Sequence, residues 1–465
     1  MAPRAQTGCR LGAAEEYNGS VAHTEERPDF MLIAFKFQNF RSFLAEQTFS
    51  FITSSDHTHE STHLMRTGMK AVPRVSKAAI VFGPNASGKT NLLIALATLR
   101  DLILNSTAYS EAQFAERYTP FRFGPAAARP TEFEIDVLLG NVRYRYSLSY
   151  DAQRIRSERL LVYRTGKSQR WFHRKFDAAT QRDEWAPFSP NFSGPREMWR
   201  KATRPKALFL TTAAQLNSRQ LAPFLQWVEQ CLEVLLPADL TDFSRFMSRI
   251  QDEKFKTRVL ELLRAADIHV TDIRVTDPET NPRGTATVRA GAYGAGPRGN
   301  ARASIEFLYA RAGWAPIWLD ATFEASGTHR LMGLFGPLLD AIDYGKLLAV
   351  DEFDTSLHPL VARFLVQRTN DPAVSPNGAQ LLLTSHNTTL MDLDFLRRDE
   401  IWLVKADNHV SSLSPLLRSS PRKHELIAKN YLKGRYGAVP TIHRDLRQTA
   451  ESKRAPSRRK TETAR

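Results

Sequence analysis

The chain has 465 residues, 42% of them hydrophobic and 10% aromatic, which is enough for one large domain or two to three ordinary ones and excludes global disorder. No run approaches the ~18 apolar residues of a membrane span, the N-terminus lacks an apolar secretory segment, and two cysteines, Cys9 and Cys231, exclude a disulfide scaffold or a Cys-rich metal site. A net charge of +15, from 64 basic and 49 acidic residues, favours polyanionic partners without specifying a fold, and the expected class is a cytoplasmic protein of enzyme size.

Residues 1–30 lack apolar periodicity and read as a flexible N-terminal tail. Met31 opens an alternation through Leu32, Ala34, Phe35 and Phe37 that predicts a first strand and makes Met31 a candidate functional start. Residues 77–82 read as a short buried strand, and 90–104 carry helical spacing at Leu92, Leu93, Leu96 and Leu99. Residues 133–139 and 142–150 alternate about Gly140-Asn141, the signature of a hairpin. Residues 221–236 and 246–263 show 3.6-residue spacing and predict helices, whereas 283–303, dense in Gly, Pro and Arg, predict an exposed loop. Residues 347–350 and 380–384 are apolar strands ending in polar turns. Buried strands separated by helices point to a parallel sheet with helices on its faces.

The strongest motif is Gly83-Pro84-Asn85-Ala86-Ser87-Gly88-Lys89-Thr90, a GxxxxGK[ST] loop between a buried strand and an amphipathic helix. Its glycines let the backbone wrap phosphates, and its N–H groups with the helix N-terminus supply fixed positive potential. Lys89 is placed to reach the β- and γ-phosphates and Thr90 to hold Mg²⁺, so ATP and Mg²⁺ are the implied cofactors. After the strand at 347–350, Asp351 reads as the metal-shell acid and Glu352 as the base that orients or deprotonates water. In isolation such a pair is common at the end of a core strand. His386, in Thr384-Ser385-His386-Asn387, is suited to contact the γ-phosphate, although a lone strand-end His is more often structural.

Weaker signals carry two readings each. His57, His59 and His63, with Asp56 or Glu60, could hold a metal or simply form a polar loop. Cys231 sits on an apolar face and reads as core. Residues 151–206 hold 14 basic and six acidic residues interleaved with Trp171, Phe172, Phe176 and Trp199, which fits either nucleic-acid contact or a solvated strand surface. By contrast, residues 211–440 hold 26 charges of each sign, so the basic excess is local.

The order P-loop, Ser326-Gly327-Thr328, Asp351-Glu352, Asp354 with Ser356-Leu357-His358-Pro359, then His386 resembles an ABC-type ATPase head of the kind shared by SMC, RecF and OLD proteins. More narrowly, five stretches resemble the AAA-family ATPases of abortive-infection (AbiL-type) phage-defence loci. They are Phe40-Arg41-Ser42-Phe43, Glu324-Ala325-Ser326-Gly327-Thr328-His329-Arg330, Asp351-Glu352-Phe353-Asp354, Asn377-Gly378-Ala379-Gln380 and Gly434-Arg435-Tyr436-Gly437-Ala438-Val439-Pro440. The resemblance covers most of residues 31–440. It implies that Ser326, Gly327 and Thr328 cap the nucleotide of a second subunit, and that Asp354 communicates between two sites. It further implies that Arg41 and Ser42 lie near the nucleotide. Thr328 and His329 stand where the ABC signature has Gly and Gln, and no Gln is assigned to the Q-loop. Without the family, Ser326-Gly327 could be a simple helix cap.

The expected fold is an α/β P-loop NTPase, an ABC-ATPase-like head with an inserted helical lid. Its core is divided between residues 31–215 and 304–441, with a lid at 216–275, a loop region at 276–303 and a basic tail at 442–465. No sustained heptads mark the SMC arm. The expected species is a homodimer or higher homo-oligomer with catalytic Lys89, Glu352 and His386. It would act as the sensor of an antiviral system beside a separately encoded effector, with nucleic acid possible at 151–206 and no membrane partner. An ATP-driven DNA-maintenance protein of RecF or SMC type is the alternative. A self-contained OLD-like nuclease is disfavoured, because only 25 residues follow Pro440.

Overall fold

Short apolar strands from distant parts of the chain assemble a six-stranded sheet in the order Leu232–Leu235, Leu347–Val350, Gln380–Ser385, Ala78–Phe82, Ile401–Asp407 and Val410–Pro415. The first five run parallel and the last is antiparallel. Because side chains alternate across a strand, each of these strands feeds two cores at once. Ala79, Val81, Leu347, Ala349 and Leu382 enter one core; Ala78, Ile80, Phe82, Leu348, Val350, Leu381 and Leu383 enter the other. That two-sided burial is why the strands read as unbroken apolar runs. This computed structural model describes residues 30–164, 166–276, 304–422 and 425–440; the 1–29 tail, residues 277–303 and the basic tail lie outside them.

The first core is shared with a seven-stranded antiparallel sheet, ordered Arg182–Trp185, Ser168–Asp177, Ile155–Tyr163, Val142–Tyr150, Thr131–Leu139, Phe30–Gln38 and Gln47–Ser50. The helix Lys89–Asn105 buries Leu92, Leu93, Leu96 and Leu99 against it. The predicted hairpin is present: Leu139 pairs with Val142, and Gly140 takes the left-handed φ of +56° that a two-residue turn requires. Gln380 joins the sheets. Its Oε1 accepts from Leu32 N–H at 2.6 Å while its Nε2 donates to Leu32 O at 3.1 Å, which satisfies the backbone at a register shift in the first strand.

Two helix predictions are corrected. Residues 221–236 form a helix only over Ala222–Gln230; beyond Cys231, which is buried, Leu232–Leu235 becomes the edge strand of the parallel sheet. Local spacing could not show this, since the pairing partner lies more than 100 residues downstream. Residues 246–263 split into Ser244–Arg249 and Glu253–Ala265, the second capped by the Asp252 side chain accepting from Lys254 N–H at 2.9 Å. The stretch 216–275 thus contains a strand of the core sheet as well as three helices, Ala222–Gln230, Ser244–Arg249 and Glu253–Ala265. The last two pack on the 19-residue helix Ser326–Tyr344, where Phe246, Phe255, Val259 and Leu263 share the second core with Leu331, Phe335 and Leu338. Arg258 bonds Asp343 at 2.6 Å along the same seam. Among the described residues no helix is long and apolar enough to cross a membrane.

Candidate active site

Three strands lying side by side, Leu347–Val350, Gln380–Ser385 and Ala78–Phe82, run parallel, so the loops after Val350, Ser385 and Phe82 open at one edge of the sheet. The C-terminal edge of such a sheet is where ligands bind in open α/β folds.

The P-loop leaves no room for side chains at its glycines. A Cβ on Gly83 would meet Val404 O at 2.4 Å, and one on Gly88 (φ +110°) would meet Ser411 Oγ at 2.6 Å. Pro84, Asn85 and Ala86 form the outer turn, with Asn85 and Ala86 exposed and Ala86 left-handed at φ 58°. Ser87 is buried, and its Oγ has no hydrogen-bond partner. Lys89, also buried, donates from Nζ to Gly83 O at 2.9 Å and Pro84 O at 3.0 Å. Burial pushes its ammonium down to about 8, against the opposing pull of Asp351, Glu352 and Asp354.

Asp351 is 1% exposed; its Oδ1 accepts from Thr384 Oγ1 at 2.6 Å and its Oδ2 has no partner. A buried carboxylate oxygen left unsatisfied is costly unless a cation or donor takes it. With the Thr90 hydroxyl at the start of the P-loop helix, this donor set fits a hard cation with oxygen ligands such as Mg²⁺. Glu352 holds a left-handed φ of 49°, a conformation that costs a non-glycine residue roughly 1–3 kcal/mol. Its N–H donates to Thr384 Oγ1 at 2.8 Å, and its carbonyl accepts from Arg330. His386 is exposed at the mouth of the site; burial of its ring and the charge of Lys89 lower its pKa, against Asp354, Glu352 and Asp351. That shift favours the neutral imidazole, which can offer either a donor or an acceptor.

Arg41 and Ser42 are brought to the P-loop by their neighbours. Phe40 and Phe43 are fully buried and bridge each other's backbones, so the two residues between them are pushed outward. Asn91, directly after Thr90, donates to Ser42 Oγ at 2.8 Å and accepts from Arg41 Nη1 at 3.4 Å. The Ser42 and Ser411 hydroxyls lie 2.7 Å apart, and Ser411 Oγ donates to Ser87 O at 2.6 Å. Ser411 and Arg330 are site residues that sequence reasoning missed. Arg330 closes the family-like stretch Glu324–Arg330 but has no role assigned there, and Ser411 reaches a loop 324 positions away.

Among the described residues no hydrogen bond joins the P-loop to Ser326, Gly327 or Thr328 of the same chain. Ser326 is exposed at the first turn of Ser326–Tyr344, and Thr328 is buried. The helix cap is Ala325, which supplies no side-chain bond, so Ser326 is not a capping residue. A Cβ on Gly327 would lie 2.7 Å from Ser356 O, which fixes the helix start against the loop that follows Asp354.

Two weaker readings are corrected. Trp171, Phe172, Phe176 and Trp199 are buried in the antiparallel half, and Arg174 is buried with them, bonding Glu158 at 2.9–3.0 Å. These four aromatics therefore build the core and are not free to stack on bases. Among the histidines, His63 bonds buried Glu400 at 2.9 Å, His57 pairs with Glu60, and His59 stacks on His63. No group of three or more His, Cys, Asp or Glu side chains placed to hold a metal ion occurs among the described residues.

The family described as "AAA domain, putative AbiEii toxin, Type IV TA system" matches residues 78–392. Similar solved structures include an SMC head bound to the C-winged helix domain of ScpA, with 12% identity, a TM-score of 0.42, and coverage of 82% of this chain and 96% of that one. An SMC head with an extended coiled coil from Pyrococcus furiosus gives 11% identity, a TM-score of 0.37, and 84% and 98% coverage. The recombination mediator protein RecF gives 10% identity, a TM-score of 0.34, and 84% and 100% coverage. No curated protein matches. With the P-loop, the acidic strand end and the parallel sheet between them in place, the fold is an ABC-ATPase-like P-loop head, and the chain belongs to this AAA family.

Proposed function

We propose that the protein is a Mg²⁺-dependent ATPase whose active unit is a homodimer or larger. The observation that carries this reading is the convergence of Lys89, Asp351, Glu352, Asp354 and His386 in one electrostatic cluster at the ends of adjacent strands. Residues 83–88 cradle phosphates with backbone N–H groups, and Lys89 exchanges its two carbonyl bonds for phosphate oxygens. Thr90 and Asp351 would hold Mg²⁺, which supplies charge neutralisation on those oxygens when bound. Glu352 orients and deprotonates the attacking water, and His386 contacts the γ-phosphate. The uncapped helix start at Ser326, Gly327 and Thr328 faces the nucleotide of a second copy, with Asp354 between the two sites. Glu352→Gln should bind ATP normally and hydrolyse it at least ~100-fold more slowly in a phosphate-release assay. Hydrolysis at the wild-type rate would reject Glu352 as the base.

We infer that this ATPase is the regulatory subunit of an antiviral, abortive-infection-type system acting with a separately encoded effector such as a nuclease. The family's description, a putative toxin of a type IV toxin–antitoxin system, supports the two-component part of that reading. Co-purification with the product of the adjacent gene should yield a complex that responds to ATP and Mg²⁺. No complex in either condition contradicts the effector.

A further inference from the structure

Arg330 lies on the helix Ser326–Tyr344, four residues after Ser326 and three after Gly327, so it shares a helix face with both. Its side chain leaves that helix and ends on the turn that carries the acidic pair. Nη2 donates to Asp351 O at 2.9 Å and, more closely, to Glu352 O. Those carbonyls belong to the two residues that follow the strand Leu347–Val350, and Glu352 is the one held at a positive φ.

The chemistry of this contact is unusual for an arginine. Glu352, Asp351 and Asp354 all act on its charge, yet no carboxylate among the described residues makes an ion pair with it. A guanidinium that ignores three nearby carboxylates and grips two main-chain carbonyls fixes backbone rather than neutralising charge. Its Nε is buried without a partner, so the side chain is held here by the two carbonyl bonds. The opposite end of the same turn is locked independently, because Thr384 accepts from Glu352 N–H and from Phe353 N–H. Thr384 belongs to the neighbouring strand and cannot report on the helix; Arg330 can. The helix start is itself pressed on the same loop, with Gly327 against Ser356 O. The helix start thus touches the Glu352 turn through the Arg330 side chain and the loop after it through the close approach of Gly327 to Ser356 O.

We propose that Arg330 is a positioning residue that sets the orientation of the Glu352 carboxylate from the helix bearing Ser326 and Gly327. A second copy's nucleotide seated on that helix thereby aligns the base of this copy. The proposal rests on the reading of Glu352 as the hydrolytic base.

The test compares wild type with Arg330→Ala, Arg330→Lys and Glu352→Gln, measuring ATP affinity with a fluorescent nucleotide and turnover by phosphate release. Arg330→Ala should bind nucleotide within about twofold of wild type, lose at least about tenfold in kcat, and lose the rise of specific activity with protein concentration that a dimer shows. Arg330→Lys should recover part of kcat, since an ammonium can still donate to a carbonyl but lacks the planar fork. If Arg330→Ala fails to fold, the kcat and affinity of Arg330→Lys decide alone: a lowered kcat at unchanged affinity supports the proposal, and a wild-type kcat overturns it. A fully active Arg330→Ala beside an inactive Glu352→Gln removes the coupling and leaves the base reading intact. A fully active Glu352→Gln removes the base reading itself, and the proposal with it. Equal losses of affinity and kcat in both Arg330 variants also overturn it, since they mark a merely structural role.

Discussion

At the scale of single residues, the P-loop depends on a serine that belongs to no motif. Ser411 lies on the antiparallel strand Val410–Pro415, where its hydroxyl bonds the carbonyl of Ser87 and touches Ser42, which in turn receives a bond from Asn91. The chain of bonds ties the phosphate loop, its helix and the Phe40–Phe43 turn together. Removing one buried hydrogen bond of this kind costs about 1 kcal/mol. Ser411→Ala should therefore weaken ATP binding roughly fivefold in a titration, with no change in fold, if loop rigidity is what it supplies. Unchanged affinity would show that the P-loop holds its shape alone. Lys89, Asp351, Glu352 and His386 were legible in the sequence because each stands at a fixed offset from a short apolar strand. Ser411 was not, because its partner lies 324 positions away, and Arg330 stood in a family-like stretch without a role because its contact with Asp351 and Glu352 exists only once the sheet is assembled.

At the scale of elements, Ser326–Tyr344 joins the acidic turn to the helix Ser244–Arg249. One end carries Arg330 on the acidic turn; further along, Asp340 is buried and receives Arg245 and Arg249 from that helix. Between them Gly333 packs so closely that an added Cβ would lie 2.0 Å from Leu240 O. A backbone atom cannot rotate aside, so Gly333→Ala must push the segment around Leu240 away from the helix, at about 1–3 kcal/mol. A lowered denaturation midpoint with ATP affinity intact is the expected result; an unchanged midpoint would show that the seam is loose. The strand Leu232–Leu235 illustrates what sequence periodicity leaves out. Its three apolar residues in four continue the helical spacing before it, and only pairing with Leu347–Val350 decides for a strand.

At the scale of the whole molecule, the basic excess of the 151–206 segment stays on the surface at Lys167, Arg170, Lys175 and Arg204, while the aromatics read beside it do not. Arg174 is buried against Glu158, Arg154 pairs with Asp183, and the interleaved aromatics fill the core. Alternation along the antiparallel strands had mixed core aromatics with outward-facing cations, which in sequence resembles a binding segment. What the assembled molecule does show is a P-loop beside an acidic strand end, and an exposed, uncapped helix start to which the same chain's P-loop makes no hydrogen bond among the described residues. The central claim is that a second copy uses it. Glu352→Gln should give a mass twice the 52.6 kDa of one chain in solution with ATP and Mg²⁺, and Ser326→Arg in that background should return it to a monomer that still binds ATP. A monomer at saturating ATP, or a dimer indifferent to Ser326→Arg, would contradict the account.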